Sequence, residues 1–541
     1  MTRFRELCLL GGLLFSLASS EQNPVVALHN GPVRGTVSEY VSAVNVFKGI
    51  RFADPATGDY RWAHPPHPTS WNDTFDAFEF GNDCAQLGFN GTVEGSEDCL
   101  FLNIWTPENF TNETNYPVYL WSYGGRFSGG SGSQATYDGS GLAAKGAVVI
   151  TYNYRLGVLG GLAHPELSAE AEGNSTGNWF LQDQIAVLHW TNENIQLFGG
   201  NPSQITLGGQ SAGSGIALSM VYSPLAAGLF QGAIAESGAR APHDPLTGSL
   251  ATSHRNKTDA EAEGVEFLKA LNVSSIAEAR LLPVETLLAA SPQSDPIFVG
   301  TPFANNSAYM APPVFRPVID GFVLLDTYEA TLAGHLQNDV PILTGNNRDE
   351  SGATPDPRTI SLADYNTSNS AIFEPIGLED RYFQLFPAST DSEAGTQTNN
   401  FYRNQSLASV WNWANAWAAG GGNSSVYTYY WTHAPPGQSS GAFHGSEINY
   451  AFHNIPWGTT LTGRALNWTA EDYLIQDTIS QYWYNFIATG NPNGGNLTEW
   501  EPSSDASKAT MQLGDGYGAI PVASDDVLDF IAEYFSQEIA W

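Results

Sequence analysis

The sequence predicts an α/β protein: a large, mostly parallel central sheet with helices on both faces and helical insertions over the strand ends. Three observations carry that reading. Apolar runs at residues 117–121 and 147–152 are continuous rather than alternating, as in strands buried on both faces. Residues 179–198 place Leu181, Ile185, Leu188 and Ile195 at helical spacing, with Asp183, Gln184 and Asn192 off that face. Residues 205–207 then read as a strand that passes through Ser211 into a small-residue helix start, Ala212 to Met220. Alternating buried strands and helices build a doubly wound sheet, whose ligands gather at the carboxyl ends of the strands.

Residues 1–20 have a basic start (Arg3, Arg5), an apolar centre and a small-residue end, Ala18-Ser19-Ser20, the pattern of a secretory signal. The apolar part is broken by glycines and shorter than the ~20 residues that span a bilayer. Export without a stable membrane anchor is expected, with the processed chain starting near Glu21. Residues 21–541 contain no low-complexity linker, charge block or repeat and read as one catalytic domain. With Cys8 removed, Cys84 and Cys99 remain, and an oxidising compartment pairs them; the loop they close is worth roughly 3 kcal/mol. Sequons at Asn72, Asn109, Asn174, Asn272, Asn404 and Asn467 fit N-linked glycans on an exported chain. A formal charge of −34 argues against nucleic acid and anionic membrane surfaces as partners.

Along the chain, residues 23–28, 35–41 and 46–52 read as short strands, followed by strands at 99–105 and 117–121. The second of these ends in Ser122-Tyr123-Gly124-Gly125-Arg126-Phe127-Ser128-Gly129-Gly130. A glycine-rich loop directly after a core strand can present backbone N–H groups to a developing oxyanion. A phosphate cradle would continue into Gly-Lys-Ser/Thr, and this loop does not.

Ser211 stands in Gly209-Gln210-Ser211-Ala212-Gly213, a G-x-S-x-G pattern at a strand-to-helix turn, where a strained backbone exposes the serine and only small neighbours fit. The same pattern recurs around Ser439, but after Pro435-Pro436 and without a following helix, so it reads as loop. A serine nucleophile needs a histidine, and the histidine a carboxylate, in the order serine, acid, histidine for this architecture. The strand at 340–344 ends at Asp349 and Glu350, and position does not choose between them. His433, His444 and His453 follow, and His444, between loop glycines after the strand at 426–431, ranks first. Residues 259–271 and 275–290 read as helices of an insertion or cap over the site, and 471–487 as a helix whose aromatic stripe packs in the core.

At these residues the chain resembles the type-B carboxylesterase and lipase family, the cholinesterase-like and fungal lipase-like group with the α/β-hydrolase fold. The matching segments are Phe47-Lys48-Gly49-Ile50, Glu97-Asp98-Cys99-Leu100-Phe101-Leu102-Asn103, Asn153-Tyr154-Arg155-Leu156-Gly157, Asp183-Gln184, Phe198-Gly199-Gly200-Asn201-Pro202 and Gly490-Asn491-Pro492. The resemblance implies Ser211 as nucleophile, Glu350 as acid within Asp349-Glu350-Ser351-Gly352, and His444 as base. It also implies an oxyanion hole of the N–H groups of Gly125, Arg126 and Ala212, with Gly124 and Gln210 beside the substrate and Cys84–Cys99 as the first disulfide. The implied reaction is hydrolysis of a small-molecule ester through an acyl-enzyme, with no cofactor and no metal.

Three departures from the family pattern bear on the substrate. Gln210 replaces the usual glutamate before the serine and removes a negative charge. The disulfide loop lacks the tryptophan that cholinesterases present to a quaternary ammonium, and it is too short for a long lipase lid. Arg126 replaces the last glycine of the oxyanion loop, either reaching the pocket to favour a carboxylate-bearing or strongly polar ester or turning away into an ion pair. Soluble esters of short to medium acyl length are expected; a secreted lipase for long-chain glycerides or sterol esters is the alternative. A non-catalytic binding relative fits less well, because all three positions of the serine, acid and histidine are intact.

Overall fold

The structure is a computed structural model that describes residues 23–537 apart from 89, 249–252, 292–293, 305, 307 and 460–465; the expected signal segment, residues 1–20, lies outside the described residues. Its central sheet has eleven strands. In chain order they are β1 (Thr36–Val37), β2 (Val44–Arg51), β3 (Phe101–Pro107), β4 (Tyr116–Ser122), β5 (Val148–Tyr152), β6 (Gly200–Gln210), β7 (Gly232–Glu236), β8 (Ile342–Asn347), β9 (Val426–Trp431), β10 (Ala509–Leu513) and β11 (Gly518–Pro521). Their spatial order is β11-β10-β9-β8-β7-β6-β4-β5-β3-β2-β1. From β10 to β5 every neighbouring pair is parallel, and the two ends of the sheet are antiparallel. The parallel strands β5, β7, β8 and β9 are buried at every residue, which is why β5 and β9 run apolar or aromatic with little alternation, while β7 and β8 end on buried polar residues, Glu236, Asn346 and Asn347.

Helix α1 spans Trp179–Asn194 and continues as a 3₁₀ turn, Ile195–Phe198, that ends on left-handed Gly199. Its burial differs from the one-sided pattern read from sequence. Asp183 and Gln184 are inside the protein, because each has a buried partner: Asp183 accepts from Arg155, and Gln184 accepts from the Ser122 hydroxyl at 3.0 Å. Helix α2, Ala212–Tyr222, is wholly buried and packs on β6 and β7. The long helix α3 (Asp391–Ala419) packs against β8 and β9, and α4 (Ala470–Thr489), opened by a Thr469–Asp472 capping box, places Ile475, Ile479, Tyr482, Trp483 and Phe486 in the main core.

The stretch expected as an insertion over the site forms Lys257–Ala270, Ile276–Arg280 and Val284–Ala290, the last two separated by Pro283. These helices share a separate apolar cluster with Trp62, Val158 and Leu162, and Arg61 binds the carbonyls of Arg280 and Leu282 at 3.0 and 2.8 Å. They are not what walls the cavity around Ser211. That wall comes from Ala308, Met310 and the segment from Ser351 to Arg358.

Candidate active site

Strand β6 ends at Gln210 and α2 begins at Ala212, leaving Ser211 as the single residue of the bend, at φ 58° and ψ −122°. A side chain rarely sits in that region unless its surroundings enforce it. Here the two turns of chain pass so close that a Cβ on Gly209 would lie 2.2 Å from the Gly213 carbonyl, and one on Gly213 2.0 Å from the Ser122 carbonyl. The Ser211 N–H donates to Glu236 O at 2.9 Å, while its carbonyl accepts from Gly215 at 3.1 Å. The serine is therefore pinned from β7 and from its own helix, with its side chain on a cavity of about 1260 Å³.

Glu350 follows β8 and His444 follows β9, so both arrive at the same carboxyl edge of the sheet as Ser211. His444 Nδ1 lies 2.5 Å from Glu350 Oε2. The other carboxylate oxygen accepts from Ser237 Oγ at 3.0 Å and from the Asn347 N–H at 2.8 Å. Burial would raise the Glu350 pKa, but the His444 and Asn347 hydrogen bonds and the nearby Arg240 hold it below the ordinary glutamate value. For His444 burial works toward a lower pKa, and the hydrogen bond and charge of Glu350 outweigh it, raising the imidazole above its usual 6.5. The accessible part of the ring, 44% of the side chain, opens onto the cavity that Ser211 also lines. No direct His444–Ser211 hydrogen bond is formed among the described residues; such contacts commonly tighten only around substrate.

The glycine-rich loop after β4 turns back beside the serine. Gly125, Arg126 and Phe127 all have positive φ, and a Cβ on Gly125 would lie 2.0 Å from the Gly129 carbonyl. Buried Phe127 anchors the loop by stacking on Phe180 at 4.7 Å. Gln86 braces it from the disulfide loop, accepting from Gly130 N–H at 2.8 Å and donating to Gly130 O at 3.0 Å. The N–H groups of Gly125, Arg126 and Ala212 have no protein acceptor among the described residues. Ala212 also opens α2, where the helix dipole favours negative charge. Gly124 lies against Ser211: a Cβ there would sit 3.1 Å from the Ser211 Cβ and 2.9 Å from Gln210 Oε1. Gln210 is itself buried, and its Nε2 has no protein partner.

The competing sequence candidates lead elsewhere. Asp349 is occupied by Arg348 at 3.0 Å, Arg403 at 2.7 Å and the Ala442 N–H at 2.8 Å. His433 bridges Asp515 and Asp472, and His453 bonds Ser480 Oγ at 3.0 Å. Ser439 is exposed in an irregular loop. Cys84 and Cys99 are joined, and their loop folds into a small hairpin, Gln86–Leu87 with Val93–Glu94, that forms one wall of the cavity.

Four residues of the arrangement were not read from sequence. Ser237 and Asn347 brace Glu350 and were hidden among many polar residues, although both stand at carboxyl ends of parallel strands, where sites form. Glu236 and Glu447 form a wholly buried carboxyl pair beneath them. Burial and each other's proximity push the Glu236 carboxyl well up, and burial with the charge of Glu350 pushes Glu447 up. Trp483 donates to Glu236 at 2.8 Å, and Asn347 Nδ2 donates to Glu447 at 2.5 Å and to the Phe443 carbonyl at 2.7 Å. No local signal in the sequence sets Glu236 and Glu447 apart from the chain's other acidic residues, 55 Asp and Glu in all.

A serine at an enforced bend, a carboxylate–imidazole pair and backbone donors without a protein acceptor thus meet on one cavity of an α/β-hydrolase fold. Residues 22–521 match the model of the carboxylesterase family, and the chain belongs to that family. It is 32% identical over 525 residues to the fumonisin B1 esterase of Sphingopyxis macrogoltabida, covering 94% of this chain and 91% of that protein. It is 31% identical over 505 residues to the para-nitrobenzyl esterase of Bacillus subtilis (strain 168), covering 90% and 94%. A solved PNB esterase structure superposes with a TM-score of 0.72 at 27% identity, covering 94% of this chain and all of that one (100%). The protein is a carboxylic ester hydrolase. No helix among the described residues is long and apolar enough to cross a membrane.

Proposed function

We propose that the chain is a secreted serine carboxylesterase in which Ser211, His444 and Glu350 act as a triad on soluble esters of short to medium acyl length. The observation that carries the proposal is the 2.5 Å His444–Glu350 contact opening onto the same cavity as Ser211 at its enforced bend. His444 takes the Ser211 proton as the hydroxyl attacks the ester carbonyl, while Glu350 fixes the ring and balances the imidazolium. The N–H groups of Gly125, Arg126 and Ala212 receive the oxyanion. His444 then gives the proton to the leaving alcohol, and water, activated by the same ring, frees the acid from Ser211. No cofactor enters this sequence.

Residues 21–541 act as one catalytic unit. The signal pattern at residues 1–20, the Cys84–Cys99 link and the sequons support export and N-linked glycans. The small disulfide hairpin supports soluble substrates, since the Cys84–Cys99 loop, with a sequence separation of 15, is too short to form a long lid. The test is hydrolysis of 4-nitrophenyl butyrate by wild type and Ser211→Ala. Loss of turnover with the fold retained is expected, and undiminished turnover refutes the mechanism. A rate jump above the solubility limit of a longer-chain ester would refute the soluble-ester preference and favour a lipase.

A further inference from the structure

Among the described residues, every arginine has a carboxylate within 4.0 Å except two, Arg126 and Arg358. Both line the cavity that holds Ser211. Carboxylates are not scarce in a chain with 55 acidic and 21 basic residues, yet among the described residues the exceptions both fall on the cavity that Ser211 lines.

The two guanidinium groups have neutral partners. Arg126 Nη2 donates to Ala311 O at 2.8 Å, while Arg358 donates to Gly352 O and to Asn399 Oδ1 at 3.4 Å, with its charge 5.8 Å from the Tyr402 ring centre. A guanidinium has five N–H donors, so each keeps several for a ligand. Both are half-buried, and burial without a counter-charge pulls each below the usual arginine pKa, slightly opposed at Arg358 by Tyr402 and Tyr382. Holding two cations partly out of water with no anion opposite costs stability, and a ligand carboxylate would offset that cost.

The other charged groups on the cavity are already engaged or open to solvent. Arg240 is paired with Asp244 at 3.0 Å. Asp349 is held by two arginines, Asp83 accepts from Ser131 and Ser133, and Glu350 serves His444. Glu94 is exposed. Arg126 comes from the oxyanion loop and Arg358 from the segment after Glu350, and both line the same cavity as Ser211.

We infer that Arg126 and Arg358 form an anion subsite that selects esters carrying a free carboxylate, with the scissile carbonyl at Ser211. The inference rests on the serine esterase reading and names its substrate class. It makes the replacement of the loop glycine by Arg126 a specificity device rather than a tolerated change.

The experiment measures kcat/KM on two matched pairs. In the first pair, 4-nitrophenyl hydrogen adipate against 4-nitrophenyl valerate, the carboxylate lies on the acyl arm. In the second, 4-carboxyphenyl butyrate against phenyl butyrate, it lies on the alcohol arm. Wild type is expected to favour the acidic ester of at least one pair, identifying the arm. Arg358→Gln and Arg126→Ala should each lower that acid-to-neutral ratio about tenfold, the scale of one lost charge-assisted hydrogen bond. The ratio is the readout because any effect of Arg126→Ala on the oxyanion loop falls on both esters alike. A wild-type ratio at or below one on both pairs overturns the subsite, as does a ratio unchanged in either variant. Neutral-ester turnover and its loss in Ser211→Ala report on the esterase reading separately.

Discussion

Replacing Glu447 by glutamine should flatten the dependence of stability on pH. Glu447 is wholly buried, faces Glu236, and is pushed from the ordinary 4.5 to about 7 by burial and by the charge of Glu350. Its carboxyl therefore keeps its proton longer in the folded chain than in the unfolded one. A raised folded pKa contributes stability that is fully present below 4.5 and is lost as pH rises through about 7. At 1.36 kcal/mol per pH unit the interval amounts to ~3 kcal/mol. For a chain of this length an average entropy of unfolding converts that to ~3 °C in Tm. The assay is the Tm of wild type and Glu447→Gln at about pH 5 and about pH 8 in buffers of equal ionic strength. Wild type should lose more Tm across the interval, because glutamine keeps the neutral shape and can still accept from Asn347 without titrating. Parallel pH dependences in the two proteins would refute a Glu447 carboxyl that holds its proton longer in the folded chain.

Two further outcomes follow from named contacts. Because Glu350 raises the His444 pKa, activity should fall as pH drops through a value above 6.5, and Glu350→Gln should move that limb to lower pH while cutting kcat by on the order of 10⁴; a pH–rate profile with an unmoved limb would contradict the pairing. Arg155→Ala removes the partner of fully buried Asp183, to which Arg155 donates from its backbone at 2.9 Å and from Nη2 at 2.7 Å. Breaking such a pair costs about 3–5 kcal/mol, read as a loss of Tm or soluble yield, and an unchanged Tm would refute it.

Much of the arrangement was legible in the sequence because it is written locally. The bend at Ser211 needs Gly209 and Gly213 on either side of it, the glycine loop follows its strand directly, and chain order left few histidines to consider. What was not legible depends on which distant segments come together. Asp183 and Gln184 look like solvent-facing positions of an amphipathic helix until Arg155 and Ser122 are seen opposite them. The choice of Glu350 over Asp349 came from family likeness; its physical basis is that Asp349 is spoken for by Arg348 and Arg403. Acidic residues crowd this chain, so nothing local marks Glu236 and Glu447 as the pair that is buried. In the same way, Arg126 stands out by position, but its lack of a carboxylate partner, shared with Arg358, shows only against the pairing of the remaining described arginines.

The reciprocal bonds between Gln86 and Gly130 tie the oxyanion loop to the hairpin that Cys84–Cys99 closes. The disulfide thereby buttresses, through Gln86, the loop proposed to receive the oxyanion. A chain folded without that link is expected to keep the parallel sheet, to which neither cysteine belongs, while the glycine-rich loop loses its outer brace. Specific activity, rather than yield or solubility, is then the quantity expected to report whether that link has formed.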